Sequence, residues 1–194
     1  SEGSPFIYRP STGRNSWCNP YKLHVSLASG ATLTAGEETI NNLEVAADID
    51  VEKEGKLCPQ LDKWTQKSYK AVDGINYSYA EYTPKKDDKK NALVIWLHGA
   101  GEGGTDTSID LLANEVTAMA GDQFQKDMND AYVIAPQCPT MWMDGGNGEY
   151  QNGDKGSIYA KGLFDLIDNY VKNNPDVDTS KIYIGGCSNG GYMT

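Results

Sequence analysis

The stretch that decides the fold is KIYIGGCSNGGYMT, Lys181–Thr194. An apolar run that is typical of a buried strand leads directly into the glycine-rich sequence GGCSNGG, with Ser188 at its centre. Gly186 and Gly190 flank this serine in the pattern G-x-S-x-G, in which a serine occupies a sharp turn between a strand and a helix. We therefore predict an exposed Ser188 hydroxyl between a strand that ends near Gly186 and a helix that begins directly afterwards.

Two details of this stretch support a turn centred on Ser188. The flanking glycines are required because a side chain at either position would collide with the neighbouring strand or helix. Cys187 is a competing nucleophile, but a turn centred on it would need a second glycine where the chain has Asn189. Cys187 is therefore expected to be a small buried thiol packed under the turn.

The part of the chain from residue 67 to residue 194 alternates between strand and helix patterns. Continuous apolar runs predict strands that are buried on both faces, and apolar residues at helical spacing predict a helix whose start Ser157 can cap. The predicted elements are an amphipathic strand at Ile75–Pro84, buried strands at Ala92–Gly99, Ala131–Pro139 and Lys181–Gly186, and helices at Ile109–Ala120 and Ser157–Asn174. This order predicts an α/β fold with a doubly wound, mainly parallel sheet.

Residues 1–66 have a different character and are predicted to form a β-rich accessory segment. From Leu43 to Val51, apolar residues at every second position alternate with residues that are mostly acidic, the period of a strand with one wet face. This segment is interpreted as part of a small sandwich domain.

The bulk properties exclude some classes of function. The chain has 194 residues and a net charge of −10, so it would repel nucleic acid and anionic membrane surfaces. Its longest apolar run, Ala92–Leu97, is too short to cross a bilayer. The chain does not start with methionine, which indicates either a removed signal peptide or a piece of a longer reading frame. Its four cysteines fit no zinc pattern; Cys18 and Cys58 form a disulfide if the protein is secreted, or all four are free thiols.

The loop after the first buried strand, HGAGEGGTD from His98 to Asp106, has two interpretations. Its G-x-G-x-x-G spacing is that of a dinucleotide-binding turn, but Glu102 would repel a pyrophosphate, and no acidic residue ends the next strand. A serine hydrolase explains the loop better, because it needs two N–H donors for the oxygen that becomes negative. We predict that Asn189 supplies one donor and that Gly99, Ala100 and Gly101 form the loop with the other.

The two histidines do not supply the general base in this interpretation. Proteins with this turn place their catalytic residues in the order Ser, then Asp or Glu, then His, whereas His98 precedes Ser188. His98 is expected to order its own loop, and His24 to have a surface or core role. The acid and the histidine of the triad are therefore expected beyond residue 194, and the chain alone is expected to be nearly inactive.

Together, WLHGAGEGGTD, VIAPQCP and DTSKIYIGGCSNGGYMT resemble the α/β-hydrolase superfamily over about residues 75–194. More narrowly, they resemble secreted esterases grouped with polyhydroxybutyrate depolymerases, feruloyl and acetyl xylan esterases, and prolyl-oligopeptidase-like predicted peptidases. The resemblance implies Ser188 as the nucleophile and the loop from Gly99 to Gly101, with Asn189, as the oxyanion hole. Some relatives carry an immunoglobulin-like domain in front, which would suit residues 1–66.

The function expected from these features is hydrolysis of a carboxyl ester through an acyl-enzyme, without metal or cofactor. The loop after the second buried strand contains Trp142, Met143 and Tyr150. These side chains are expected either to line an acyl or aromatic pocket or to pack on the protein surface. The alternatives are a non-catalytic carbohydrate-binding or adhesion protein on a hydrolase fold, and a nicotinamide-dependent oxidoreductase that rests on the glycine-rich loop alone.

Overall fold

The structure, a computed structural model, describes residues 32–40, 59–148 and 156–194. Strands β1 (Leu33–Ala35) and β2 (Glu38–Ile40) form an antiparallel hairpin around a turn in which Gly36 has a φ of 64°. The hairpin lies in the predicted β-rich segment and belongs to a unit separate from the one that holds residues 60–194. The alternating segment from Leu43 to Val51 lies outside the described residues, as do His24, Cys18 and Cys58.

Five strands form the main sheet in the order β3-β4-β6-β5-β7. They are β3 (Thr65–Lys70), β4 (Asn76–Tyr82), β5 (Asn91–Leu97), β6 (Tyr132–Gln137) and β7 (Val177–Gly186). Strand β5 pairs in parallel with β6 on one side and with β7 on the other. Strand β4 pairs antiparallel with both β3 and β6. The predicted α/β sheet is confirmed, and the carboxyl ends of β5 and β7 lie side by side. The prediction that Lys181–Gly186 is a buried strand is wrong, because β7 is the edge strand of the described sheet and Ile182, Tyr183 and Ile184 are exposed.

Helices cover both faces of this sheet. The α-helices are α1 (Thr107–Leu112), α2 (Asp122–Asp127), α3 (Ala160–Asn173) and α4 (Asn189–Met193). Short 3₁₀-helices lie at Pro59–Lys63, Ala100–Glu102 and Ala113–Ala120. Alternate side chains of β5 enter two cores: Leu93 and Ile95 pack with Leu166 of α3, whereas Val94 packs with Leu111 of α1. Because consecutive side chains of a strand point to opposite faces, one buried strand supplies both cores.

The prediction of one continuous helix over Ile109–Ala120 is wrong, because the helix is interrupted after Leu112. Helix α1 ends at Leu112, and Asn114 and Glu115 have φ values of 49° and 55°, in the left-handed region that no α-helix contains. The break has a local partner, because Asn114 Nδ2 donates to Glu102 Oε1 at 3.0 Å. The hydrogen bond between Asn114 and Glu102 therefore stabilises the chain where the helix is interrupted.

Two further differences concern the ends of elements. Strand β3 begins at Thr65, so the predicted boundary between residues 66 and 67 falls inside a strand of the main sheet. Ser157 does not cap α3 directly: the helix begins at Ala160, and Ser157 Oγ accepts from the amide of Tyr159 at 3.0 Å in the turn before it.

Among residues 32–40, 59–148 and 156–194, no helix combines the length and apolar character that a bilayer crossing requires. The same residues contain no group of three or more His, Cys, Asp or Glu side chains placed to hold a metal ion.

Candidate active site

Ser188 occupies a strained turn between β7 and α4. Its backbone angles are φ 49° and ψ −107°, a combination that side chains other than glycine's disfavour. The residue is exposed, and α4 begins at the next position. Strain of this kind persists only where the surrounding structure imposes it, and it concentrates at functional sites. The backbone therefore makes a strained strand-to-helix turn at Ser188, and this residue is exposed.

The flanking glycines are required by direct contact. A Cβ on Gly186 would lie 2.4 Å from the carbonyl carbon of Gly190. A Cβ on Gly190 would lie 2.0 Å from the carbonyl oxygen of Leu97, at the end of β5. The turn is closed by the amide of Gly190, which donates to the carbonyl of Cys187 at 2.7 Å. The amide of Cys187 in turn donates to the carbonyl of Leu97 at 3.0 Å, which joins the turn to β5.

His98 is fully buried, and both of its ring nitrogens are engaged. Nδ1 lies 2.6 Å from the carbonyl oxygen of Gly99, to which it can only donate, and Nε2 accepts from the amide of Cys138 at 3.1 Å. This pattern defines the neutral ring with the proton on Nδ1. Burial lowers the pKa of His98 to about 4, so the ring stays neutral near pH 7. His98 orders its loop and has no free nitrogen with which to accept the proton of Ser188.

The four residues predicted for the oxyanion hole do not behave alike. The amide of Gly99 donates to Oε2 of Glu102 at 2.6 Å, so it is not free to bind an oxyanion. Within the described part of the chain, the amides of Ala100 and Asn189 donate to no other group. Gly101 is exposed beside them. Of the loop residues Gly99, Ala100 and Gly101, Gly99 is thus the one whose amide is bonded within the loop.

The loop and the serine turn are in contact. A Cβ on Gly99 would lie 3.8 Å from the carbonyl oxygen of Cys187, the residue before Ser188. The contact follows from the sheet, because β5 and β7 are parallel neighbours and their carboxyl ends meet at one edge.

Asn189 joins the serine turn to the loop after β6. Its side chain is buried, and its Oδ1 accepts from the amide of Met143 at 3.1 Å. Met143 itself is half-buried, and Tyr150 lies outside the described residues. Trp142 has no exposed surface and packs against His98, with ring centroids 5.2 Å apart. Trp142 is thus a core residue that supports the site from within rather than a lining residue of an open pocket.

Sequence reasoning missed Asp144, which organises the same loop. Its carboxylate accepts from the Thr140 hydroxyl at 2.6 Å and from the amides of Gly146 and Gly148 at 2.7 and 2.9 Å. Burial raises the pKa of Asp144, but these hydrogen bonds outweigh burial and lower it overall. The signal was available in the letters DGGNG, because an aspartate before glycines favours a turn closed by its own side chain.

Sequence reasoning also missed two buried carboxyl groups behind the loop. Glu102 is largely buried, and both of its oxygens have partners, the amide of Gly99 and the side chain of Asn114. Asp110 on α1 is fully buried, and neither of its oxygens has a hydrogen-bond partner among the described residues. Burial raises the pKa of Asp110 well above its usual value, and the charge of Glu102 raises it further.

The two described cysteines are free thiols. Cys138 is buried, and burial raises the pKa of its thiol well above the usual value, so it is not a thiolate near pH 7. Cys187 is half-buried, which is more exposure than the sequence predicted. It lies beside Ser188 but is not at the strained position.

No family model and no curated protein matches the chain. A solved structure of a thermostable esterase is 31% identical, with a TM-score of 0.59 over 69% of this chain. A ferulic acid esterase is 17% identical over 68% of the chain with a TM-score of 0.48, and an acylaminoacyl peptidase of Pyrococcus horikoshii is 16% identical over 84% with a TM-score of 0.43.

The strand order, the helices on both faces and the likeness to the thermostable esterase define an α/β-hydrolase fold. The described sheet is a part of that fold, since the chain spans 36% of the length of this esterase.

Proposed function

We propose that this chain carries the nucleophile and the oxyanion loop of a serine hydrolase that acts on carboxyl esters. The observation that carries the proposal is the conformation of Ser188, which is exposed and strained at φ 49° and ψ −107°. An ordinary strand-to-helix turn would not keep a serine in that conformation at a cost of about 1–3 kcal/mol. Likeness at 31% identity to a thermostable esterase supports the same chemistry.

In this mechanism, Ser188 Oγ attacks the ester carbonyl carbon and its proton passes to a histidine base. The carbonyl oxygen becomes negative and accepts hydrogen bonds from the unengaged amides of Ala100 and Asn189. Collapse of the tetrahedral intermediate expels the alcohol, which takes the proton from the histidine, and leaves an acyl group on Ser188. Water, deprotonated by the same histidine, then releases the acid. These steps need neither a metal nor a cofactor.

The base of this mechanism is not His98. Both of its ring nitrogens are engaged, and its pKa of about 4 makes it a poor proton acceptor near pH 7. We therefore place the acid and the histidine of the triad in residues beyond 194, in the chain order that the serine turn implies.

The substrate class and the location are part of the proposal. We propose acyl groups of the plant cell-wall or polyester type as substrates, with Met143 and Tyr150 close to the acyl group, and secretion of the protein. The β-rich segment that precedes the main unit, which begins at Gln60, is proposed to be an accessory segment of immunoglobulin-like type. These assignments are supported by the resemblance of the motifs around His98 and Ser188 to secreted esterases.

A fluorophosphonate probe tests the proposal, because it labels an activated serine covalently. The complete protein is expected to be labelled at Ser188, and Ser188→Ala to lose labelling and the hydrolysis of p-nitrophenyl esters. Cys187→Ala is the matched control, since it removes the neighbouring nucleophile and is expected to keep both. A folded complete protein that is not labelled contradicts the proposal and favours a non-catalytic carbohydrate-binding or adhesion protein on the same fold.

A further inference from the structure

Glu102 is the one charged side chain within the glycine-rich turn from Gly99 to Gly104. It is largely buried, a costly place for a carboxylate unless its oxygens are hydrogen-bonded. Oε2 accepts from the amide of Gly99 at 2.6 Å, and Oε1 accepts from Asn114 Nδ2 at 3.0 Å. The backbone carbonyl of Glu102 accepts from Gln137 Nε2 at 2.8 Å. Both the side chain and the backbone carbonyl of Glu102 are thus hydrogen-bonded to other residues.

These contacts hold Gly99 from both sides. Glu102 engages its amide, and His98 Nδ1 engages its carbonyl at 2.6 Å. Because a peptide unit is planar and trans, the carbonyl of Gly99 and the N–H of Ala100 point in opposite directions. Because the backbone of Gly99 can rotate more freely than that of any other residue type, these two hydrogen bonds determine the direction of the Ala100 N–H.

We propose that Glu102 is a positioning residue of the oxyanion loop: its carboxylate holds the amide of Gly99 and so fixes the direction of the Ala100 N–H. The inference rests on the proposed function, in which that N–H binds the oxyanion. Glu102 does not touch the substrate and acts only through Gly99.

Glu102 and Asp110 are neighbouring buried carboxyl groups that differ in their hydrogen-bond partners. Asp110 is fully buried and has no hydrogen-bond donor among the described residues, which favours its neutral form. Burial raises the pKa of Glu102, and the two N–H donors, from Gly99 and Asn114, act in the opposite direction and favour its ionised form. A carboxylate that accepts from a backbone amide makes a charge-assisted hydrogen bond, which is shorter and stronger than a neutral one.

The test compares steady-state ester hydrolysis by variants of the complete enzyme. Glu102→Ala removes the contact with the Gly99 amide, and we expect kcat to fall about 10- to 100-fold. This fall is at most as large as the decrease in kcat of about 100- to 1,000-fold that follows removal of an oxyanion-hole donor. KM is expected to stay within about threefold, since the contact acts on the transition state. Glu102→Gln keeps an oxygen for the Gly99 amide and is expected to retain kcat within about threefold.

Two other variants keep the test decisive. Asn114→Gly removes the second partner of Glu102 at a position whose φ of 49° suits glycine, and a smaller fall in kcat is expected. It replaces Glu102→Ala if that variant does not fold. Asp178→Ala is the matched control: Asp178 also accepts from a backbone amide, that of Ser180 at 3.0 Å, but near the opposite end of β7. Its kcat is expected to be unchanged.

The inference is overturned if kcat of Glu102→Ala equals that of the wild type, or if Glu102→Gln loses as much as Glu102→Ala. An unchanged kcat in Asn114→Gly overturns it where Glu102→Ala is unfolded. Labelling by a fluorophosphonate separates this failure from failure of the proposed function. A wild type that is not labelled at Ser188 refutes the function, whereas wild type and Glu102→Ala labelled at equal rates refute only the role of Glu102.

Discussion

Gly190 lies so close to Leu97 that a Cβ on Gly190 would stand 2.0 Å from the carbonyl oxygen of Leu97. That carbonyl also accepts from the amide of Cys187 at 3.0 Å, so it cannot move away without breaking the link between β5 and the turn. The glycine two residues after the serine is therefore required because helix α4 packs directly on the end of β5, and not only because of backbone freedom.

The first prediction concerns this contact. Gly190→Ala is expected to lower the free energy of unfolding by more than about 3 kcal/mol, or to prevent folding, because backbone atoms must shift to admit the methyl group. Gly185→Ala is the control, since its Cβ would meet only the Trp96 ring, at 3.9 Å. Urea denaturation of both variants measures the difference, and equal midpoints would contradict the close contact.

The second prediction separates strain from chemistry at Ser188. Ser188→Gly is expected to raise the free energy of unfolding by about 1 kcal/mol, because glycine adopts a φ of 49° without a steric cost. Ser188→Ala keeps a Cβ in the same conformation, so its stability is expected to equal that of the wild type. Both variants are expected to lose esterase activity. A Ser188→Gly protein no more stable than Ser188→Ala would show that the turn is unstrained.

The third prediction follows from the lowered pKa of His98. The pKa is about 4 in the folded protein and 6.5 in the unfolded chain, so the unfolded chain binds more protons between these values. Stability from the neutral ring is present above pH 6.5 and is lost as pH falls towards 4, by about 3 kcal/mol. His98→Gln does not titrate. Its deficit in unfolding free energy relative to the wild type is expected to shrink by that amount between pH 7 and pH 4.

A constant deficit for His98→Gln across this pH range would mean that the ring is charged or exposed in the folded protein. Denaturant titrations at several pH values measure it, and the comparison between variant and wild type cancels the contribution of every other titrating group that the substitution leaves unchanged.

The fourth prediction has the opposite sign and concerns Asp110. Burial raises its folded pKa well above 3.8, so the folded protein binds more protons than the unfolded chain above that pH. Its contribution to stability therefore falls as pH rises, by up to about 1.4 kcal/mol per pH unit, until the folded pKa is reached. Asp110→Asn is expected to gain stability relative to the wild type between pH 4 and pH 7.

The exposed Asp122 supplies the control for this measurement. Asp122→Asn is expected to show no such gain, because the exposed Asp122 side chain has no burial cost that the substitution could remove. The prediction would be contradicted if the stability of Asp110→Asn followed that of the wild type at every pH. The folded protein would then hold the ionised Asp110 carboxylate without a free-energy cost.

Several parts of the fold could be predicted because their signals are local. Continuous apolar runs identified β5 and β6, and glycine-serine spacing identified the turn at Ser188. Strand β3 could not be found in this way, because its residues are mostly exposed at the sheet edge and carry no apolar period. The break after Leu112 was also missed, since the side chain that compensates it reaches a residue 12 positions away.

By itself, the sequence determined strands β4 to β7, helix α3, the turn at Ser188 and the need for glycine beside it, because apolar periodicity and steric demands are properties of short segments. The tertiary structure alone decided that His98 is neutral and fully engaged, that Glu102 binds the amide of Gly99, and that Asp110 is buried with no hydrogen-bond partner among the described residues. Those outcomes depend on burial and on distances between residues far apart in the chain, which exist only once the sheet and its helices have packed.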